Sequence, residues 1–314
     1  MQSSDGQVPL IRVTRSGVQD KLHRGSAVVV DDHAAPLMTI GDPQTCAYIR
    51  SAAKPIQCIP VVMCGAADAF GFDGRDIAII SGSHRGGAEQ VAQVRSILAK
   101  CALSEEHLQS GAGIADNCSG KHAGMLAACK HQGLSLDSYT DPRHPHQLAI
   151  VEVLRSICCL EDDEVHIGTD GCSAPIHYFS IDKMALGYAR MSVPGKHLDP
   201  ATAAAVERII PAMWTAPEGH TGEPLYRELF AGGPRLLTKS GGYGVYCAGV
   251  VGEGIDFAMK VDDGDRTALI PVFNEVMRRL GVFSDTEADH VAGRLIPEVR
   301  NRRGQRVGAL EILV

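Results

Sequence analysis

The sequence lacks any apolar run long enough to cross a membrane, and that excludes a helical membrane anchor within it. Its opening residues, MQSSDGQVPLIRV, have no basic n-region leading into an apolar segment and no cleavage site, so a cytoplasmic location is expected. There is no excess of positive charge. The 30 Lys and Arg against 37 Asp and Glu give a formal net charge of −7, which supplies no field to hold a phosphate backbone, and nucleic acid is not an expected partner. The one basic cluster, VRNRRGQRVG, reads as a solvated turn. No C-x-x-C pair occurs among the 10 cysteines. In a reducing compartment most of these read as small buried side chains, with metal or catalytic roles reserved for those beside other donors. Repeats, low-complexity tracts and linkers are also missing, so residues 1–314 are expected to form one catalytic-size unit.

What is present is a change of hydrophobic period along the chain. PLIRVTR, GSAVVVDD and PLMTIGD read as the strands of a β-meander. Spacings of three and four then predict helices in IQCIPVVMCGAADAF, AEQVAQVRSILAKCAL, GKHAGMLAACKHQ, HQLAIVEVLRSICCL and ATAAAVERIIPAMW, a mainly helical middle region over about 85–235. Asp199 and Pro200 form an N-cap and N1 pair for the last of these. RLLTKSG, YGVYCAGVV and GIDFAMKVDDG return to strands. A helix ending near Gly281 and another opened by the capping box Ser284 to Glu287 follow. Strands at both ends with helices between predict an α+β fold, a mainly antiparallel sheet with segregated helices.

Chemistry concentrates in four places. In RSAAKPIQ, Ser51 and Lys54 stand one helical turn apart ahead of an apolar run, the spacing of a nucleophile beside its base at a helix N-terminus, where free amides favour a developing anion. Pro55 disfavours helical geometry at Lys54, so an irregular turn is expected there. The S-x-x-K spacing alone arises often by chance. TKSGG, with Lys239 and Gly241 at the end of an apolar run, supplies the later K-[ST]-G that serine acyltransferases of the penicillin-binding group pair with S-x-x-K, and the combination is more specific than either part. A second lysine would lower the pKa of both and leave one neutral, as a base must be. SGSHRGG, with Ser83 and His84 after the presumed strand DIAII, reads as a glycine-rich functional loop or as a plain turn. In DNCSGKHAGML and TDGCSAP, Cys118, Lys121 and Cys172 could hold Zn²⁺, with His122 as the more ordinary nitrogen ligand. By spacing alone, two buried cysteines and an exposed lysine are the stronger reading.

Taken in order, RSAAKPIQ, SGSHRGG, NCSGKHAGMLA, TDGCSAP, TKSGGYGV and KVDDGDR resemble the asparaginase II family of the Rhizobium etli type, the class 3 L-asparaginases, over nearly the whole chain. The resemblance implies a serine β-lactamase/glutaminase-like fold, hydrolysis of the L-asparagine side-chain amide to aspartate and ammonia, and a homodimer. It further implies two serine-lysine pairs, Ser51 with Lys54 and Ser83 with Lys239, with Ser51 the nucleophile. Cys118, Lys121 and Cys172 would be zinc ligands beside the serines; a zinc that positions substrate is the preferred reading, and its bound water as the nucleophile is the competing scheme. Asp170 would orient a ligand, while Arg50, His84, His122 and Gly241 would serve the substrate, with Arg50 suited to a carboxylate.

The chain departs from the family pattern in places. Members usually read K-x-G-A-E-G where this chain has Lys239-Ser240-Gly241-Gly242-Tyr243-Gly244, and D-N-C replaces H-N-C at Cys118. Ser173 stands where a glycine is usual, and the segment between SGSHRGG and NCSGKH is shorter. Two alternatives follow: the same machinery acting on another amide, a lactam or a peptide-like substrate, or a non-catalytic relative that binds zinc or an amino acid.

Overall fold

The structure, a computed structural model, describes residues 6–216 and 236–314. The N-terminal residues 1–5, and the part of the expected helical region that falls on 217–235, lie outside the described residues. Strands from both chain ends form one sheet in the order β10-β1-β2-β9-β8-β7, with β3 adding to β2. These are β1 (Val8–Arg15), β2 (Val18–Asp31), β3 (Pro36–Ile40), β7 (Leu236–Ser240), β8 (Val245–Val250), β9 (Ile255–Val261) and β10 (Gly308–Ile312). All pairs are antiparallel, and β1, β2 and β3 form the expected meander. A small second sheet, β4 (Cys46–Tyr48), β5 (His166–Thr169) and β6 (Pro175–Ser180), joins in the order β4-β6-β5 and was not evident in the sequence.

The apolar run in β2 has a simple origin. Val28 and Val30 enter the core formed with the middle helices, whereas Ala27 and Val29 enter a second core beneath α10 (Leu269–Arg279) and α11 (Asp285–Leu295). A strand buried on both faces has no polar side to show, so alternation disappears and a continuous run remains. The middle face is covered first by α7 (Ile181–Ser192), which lies across β2, β8 and β9. Behind it, α1 (Lys54–Met63) is buried from Lys54 to Val61 and packs among α5 (Ser119–Gln132), α6 (Pro145–Cys158) and α9 (Pro200–Thr215). The caps form as the sequence indicates: Asp199 accepts from the amides of Ala201 and Thr202, and the Ser284–Glu287 box closes on α11.

DIAII is helical rather than a strand. It belongs to α3 (Gly74–Ile80), which follows the short α2 (Ala66–Ala69), because Asp73 and Asp76 close a reciprocal capping box at its start. SGSHRGG therefore links two helices, α3 and α4 (Ala88–Lys100). Helix α5 approaches α3 closely at Gly120, where a Cβ would lie 2.3 Å from the Ile79 carbonyl oxygen. That contact seats Cys118 and Lys121 beside the SGSHRGG loop. The basic cluster is a turn, as expected, with Arg300 and Arg306 bridging across it. Among the described residues no helix is long and apolar enough to cross a membrane.

Candidate active site

Ser51 occupies a 3-10 turn, Arg50–Ala53, that leads directly into α1. This is the irregular turn that Pro55 foreshadows, although Lys54 itself takes helical angles, φ −59° and ψ −40°. Arg50 has φ 55°, a left-handed conformation that costs a non-glycine residue about 1–2 kcal/mol. The turn lies against β7 and β8. Gly241 permits this, since a Cβ there would lie 2.7 Å from the Ile49 carbonyl oxygen. The Gly241 amide donates to the Val245 carbonyl at 2.8 Å, so it closes the strand end instead of offering an anion-binding N–H.

Arg50, Ser51, Lys54, Lys121, Asp170 and His177 line one small cavity of about 10 Å³. Lys54 is 1% exposed. Burial, reinforced by Lys121, lowers its pKa against the opposing pull of the Cys118 and Cys172 sulfurs. Its Nζ donates to Ser83 Oγ and to the Asn117 carbonyl, each at 2.9 Å. A neutral amine has two N–H groups, so these two acceptors use both and leave one lone pair to take a proton. The pairing differs from the expected one, because the lysine of S-x-x-K bonds the SGSHRGG serine and not Ser51. Lys239 is buried at the end of β7, where its Nζ donates to its neighbour's carbonyl, Ser240 O, at 2.9 Å; Ser83 bonds Lys54 rather than Lys239.

The structure brings the two cysteines of DNCSGKH and TDGCSAP together. Cys118 Sγ, Cys172 Sγ and an Asp170 carboxylate oxygen lie within 4.8 Å of one another, and Lys121 Nζ donates to Cys172 Sγ at 3.2 Å. The Cys172 thiol and then the nearby lysines pull Cys118 well below the ordinary thiol value despite burial, while Cys172 rises correspondingly. Lys121 is fully buried, which alone would lower its pKa, yet the two sulfurs hold it above the ordinary value. Two sulfurs, an amine and a carboxylate are a donor set that suits zinc, at the expense of the protons these groups carry without it. Asp170 joins this cluster to the cavity rim, because its other oxygen pairs with Arg50 Nη1 at 3.1 Å. The Arg50 guanidinium also stands 5.0 Å from the centre of the Tyr243 ring, which is 70% exposed and itself left-handed at φ 55°.

Two expected substrate residues are used internally. His84 is a buttress: Nδ1 accepts from the Gly86 amide at 3.1 Å and Nε2 donates to Ser119 Oγ at 2.8 Å. Burial, then Lys54, push its pKa down to about 4. His122 stands outside the cysteine cluster, its Nδ1 2.7 Å from the Tyr139 hydroxyl, which already accepts from the Gln109 amide. With His122 engaged by Tyr139, Lys121 is the nitrogen that bonds a sulfur of the cluster. Two participants escaped sequence reasoning. The Asn117 carbonyl carries no side-chain signal, and the only sign of His177 is a histidine interrupting the apolar strand PIHYF.

No curated protein sequence matches the chain. Mglu, solved in its glutamate form, shares 12% identity and a TM-score of 0.51 over 83% of this chain and 62% of its own, a likeness of fold. A β-lactamase from Mycobacterium bovis shares 12% identity at a TM-score of 0.45 over 82% of this chain and 95% of its own. The α+β architecture expected from the sequence, a mainly antiparallel sheet with segregated helices, is the one observed, and it resembles the fold of Mglu. The sequence profile of L-asparaginase II matches residues 11–312, and the chain is therefore a member of the L-asparaginase II family, an amidohydrolase.

Proposed function

We propose that this amidohydrolase cleaves the side-chain amide of L-asparagine by serine-lysine acyl transfer, as a class 3 enzyme of the Rhizobium etli type. The observation that carries the reading is the buried Lys54, held toward its neutral form and fixed by two hydrogen bonds on the wall of a polar cavity shared with Ser51. The Lys54 lone pair removes the Ser51 proton and Oγ attacks the amide carbon. Ser51 stands in the 3-10 turn that opens α1, at the end of the helix whose dipole favours negative charge. The proton then passes from Lys54 through Ser83 to the departing nitrogen, the C–N bond breaks, and ammonia leaves a β-aspartyl ester on Ser51. Water attacks that ester as Lys54 accepts its proton, and the proton returns to Ser51 Oγ as aspartate is released. Lys239, at the end of the strand that packs on the Ser51 turn, places a second amine beside the site.

Zinc held by Cys118, Lys121 and Cys172 would supply a fixed positive charge that orients substrate. The cavity admits a water-sized group, so entry of an amino-acid amide requires Arg50 to leave Asp170. The substrate α-carboxylate is the natural replacement for that carboxylate in the guanidinium fork.

Ammonia release from L-asparagine, with Ser51→Ala beside the wild type, tests the reading. Saturable release that vanishes in the variant supports it; silence of the wild type with zinc supplied refutes it. A second reading, another amide or a lactam, draws on Tyr243. The exposed phenol stacked on Arg50 replaces the acid of the family pattern and gives the pocket mouth an apolar face. Acylation by nitrocefin without asparagine turnover would favour it.

A further inference from the structure

His177 lies on β6, is 1% exposed, and has no hydrogen-bond partner for either ring nitrogen among the described residues. Its place in the chain is fixed by the backbone: it pairs with Ile167 in the small sheet, and its carbonyl accepts from the Ile49 amide at 3.0 Å, two residues before Ser51. Geometry therefore ties this ring to the nucleophile's turn. His177 is one of the residues that line the cavity also bordered by Ser51, Lys54, Gln57 and Asp170. At about 10 Å³ that cavity is roughly what a single water requires, and a water is retained only where polar groups converge on it.

The other buried imidazoles near the site give the comparison. Both nitrogens of His84 are engaged within the protein and His122 has one engaged, so His177 is the ring whose whole hydrogen-bonding capacity remains for the cavity. If the position served packing alone, phenylalanine would fill it without leaving two polar atoms unmatched in the interior. Burial, and then Lys121, push the ring down to about 4, so near pH 7 it offers one N–H donor and one acceptor nitrogen. A carboxamide and a water each present a donor and an acceptor, matching an uncharged imidazole, whereas a carboxylate product presents acceptors only.

We propose that His177 contacts the reacting group directly, its ring hydrogen-bonding the substrate carboxamide and then the hydrolytic water beside Ser51. This rests on the serine-lysine amidohydrolase reading above. The ring transfers no proton in this role. It selects an uncharged, two-way hydrogen-bonding group at the position where Ser51 attacks.

The test compares wild type, His177→Phe and His177→Gln for urea midpoint and for kcat and KM in ammonia release from L-asparagine and L-glutamine, with nitrocefin acylation alongside. The expected result is a His177→Phe protein with an unchanged or raised urea midpoint and kcat reduced by about tenfold to a hundredfold, the size of one or two lost hydrogen bonds. His177→Gln, which restores a donor and an acceptor, should recover several-fold. Stable variants with wild-type kcat and KM would overturn the role of His177 and leave the amidohydrolase reading standing. So would kcat losses that merely track lost stability, with no advantage of Gln over Phe. A wild type inert toward both amides and nitrocefin would overturn the amidohydrolase reading and this role with it.

Discussion

Replacing Lys54 with methionine separates the electrostatics of the site from its packing. The side chain is 1% exposed and donates to Ser83 Oγ and the Asn117 carbonyl. Losing two hydrogen bonds costs about 2 kcal/mol, offset in part by placing a thioether instead of an amine in the interior, so the net change at neutral pH should stay within about 2 kcal/mol. The pH dependence is more telling. The folded pKa of Lys54 lies below its unfolded value. Between those two values the unfolded chain binds a proton that the folded chain does not, and the unfolding free energy rises with pH by about 1.4 kcal/mol per unit. Below the folded value both states are protonated and the contribution to the slope disappears. Lys54→Met abolishes it, so urea unfolding of wild type and variant at steps up to about pH 10 should give curves that diverge. Parallel curves would refute a neutral Lys54, and with it the base assigned to the reaction. Ammonia release by the variant should fall about 10²–10⁴-fold, the usual contribution of a general base.

Gly120→Ala should destabilise by about 1–3 kcal/mol in urea titration, since its Cβ would lie 2.3 Å from the Ile79 carbonyl oxygen and α5 would have to retreat from α3. Ser173→Gly should instead leave stability unchanged or raise it by up to about 1 kcal/mol in the same assay, because Ser173 holds φ 71°, where glycine escapes the Cβ clash. Zinc at about 100 times its Kd should stabilise the wild type by about 2.7 kcal/mol in thermal unfolding and leave Cys118→Ser and Cys172→Ser unmoved. Its affinity should rise with pH, because Lys121 and Cys172 hold their protons tightly in the metal-free protein.

The strands and caps were legible because they depend on local signals: turn residues around GSAVVVDD, Asp199 before Pro200, and Ser284 three residues ahead of Glu287. DIAII misled because a short apolar run fits either element, and the decisive residue, Asp73, lies outside the run. The motif residues Ser51, Lys54, Cys118 and Cys172 could be nominated from one sequence, but their partners could not. Lys54 bonds Ser83 across 29 residues, and Asp170 reaches both Arg50 and the sulfurs, choices made by how α1, α3 and α5 stack. A histidine in a buried strand, such as His177, announces itself only when its surroundings fail to satisfy it.

The placement of β2 between β1 and β9 has a consequence for synthesis. Val30 waits for Asp256, its neighbour across the ladder, and Ser51 waits for the strand that carries Lys239. At about 5–20 residues per second, a ribosome needs on the order of 10–45 s to make the intervening chain. During that interval a valine-rich strand has an open hydrogen-bonding edge and the site lacks the strand that carries Lys239. The nascent chain therefore depends on protection of that edge, and it cannot turn over substrate before its last third emerges.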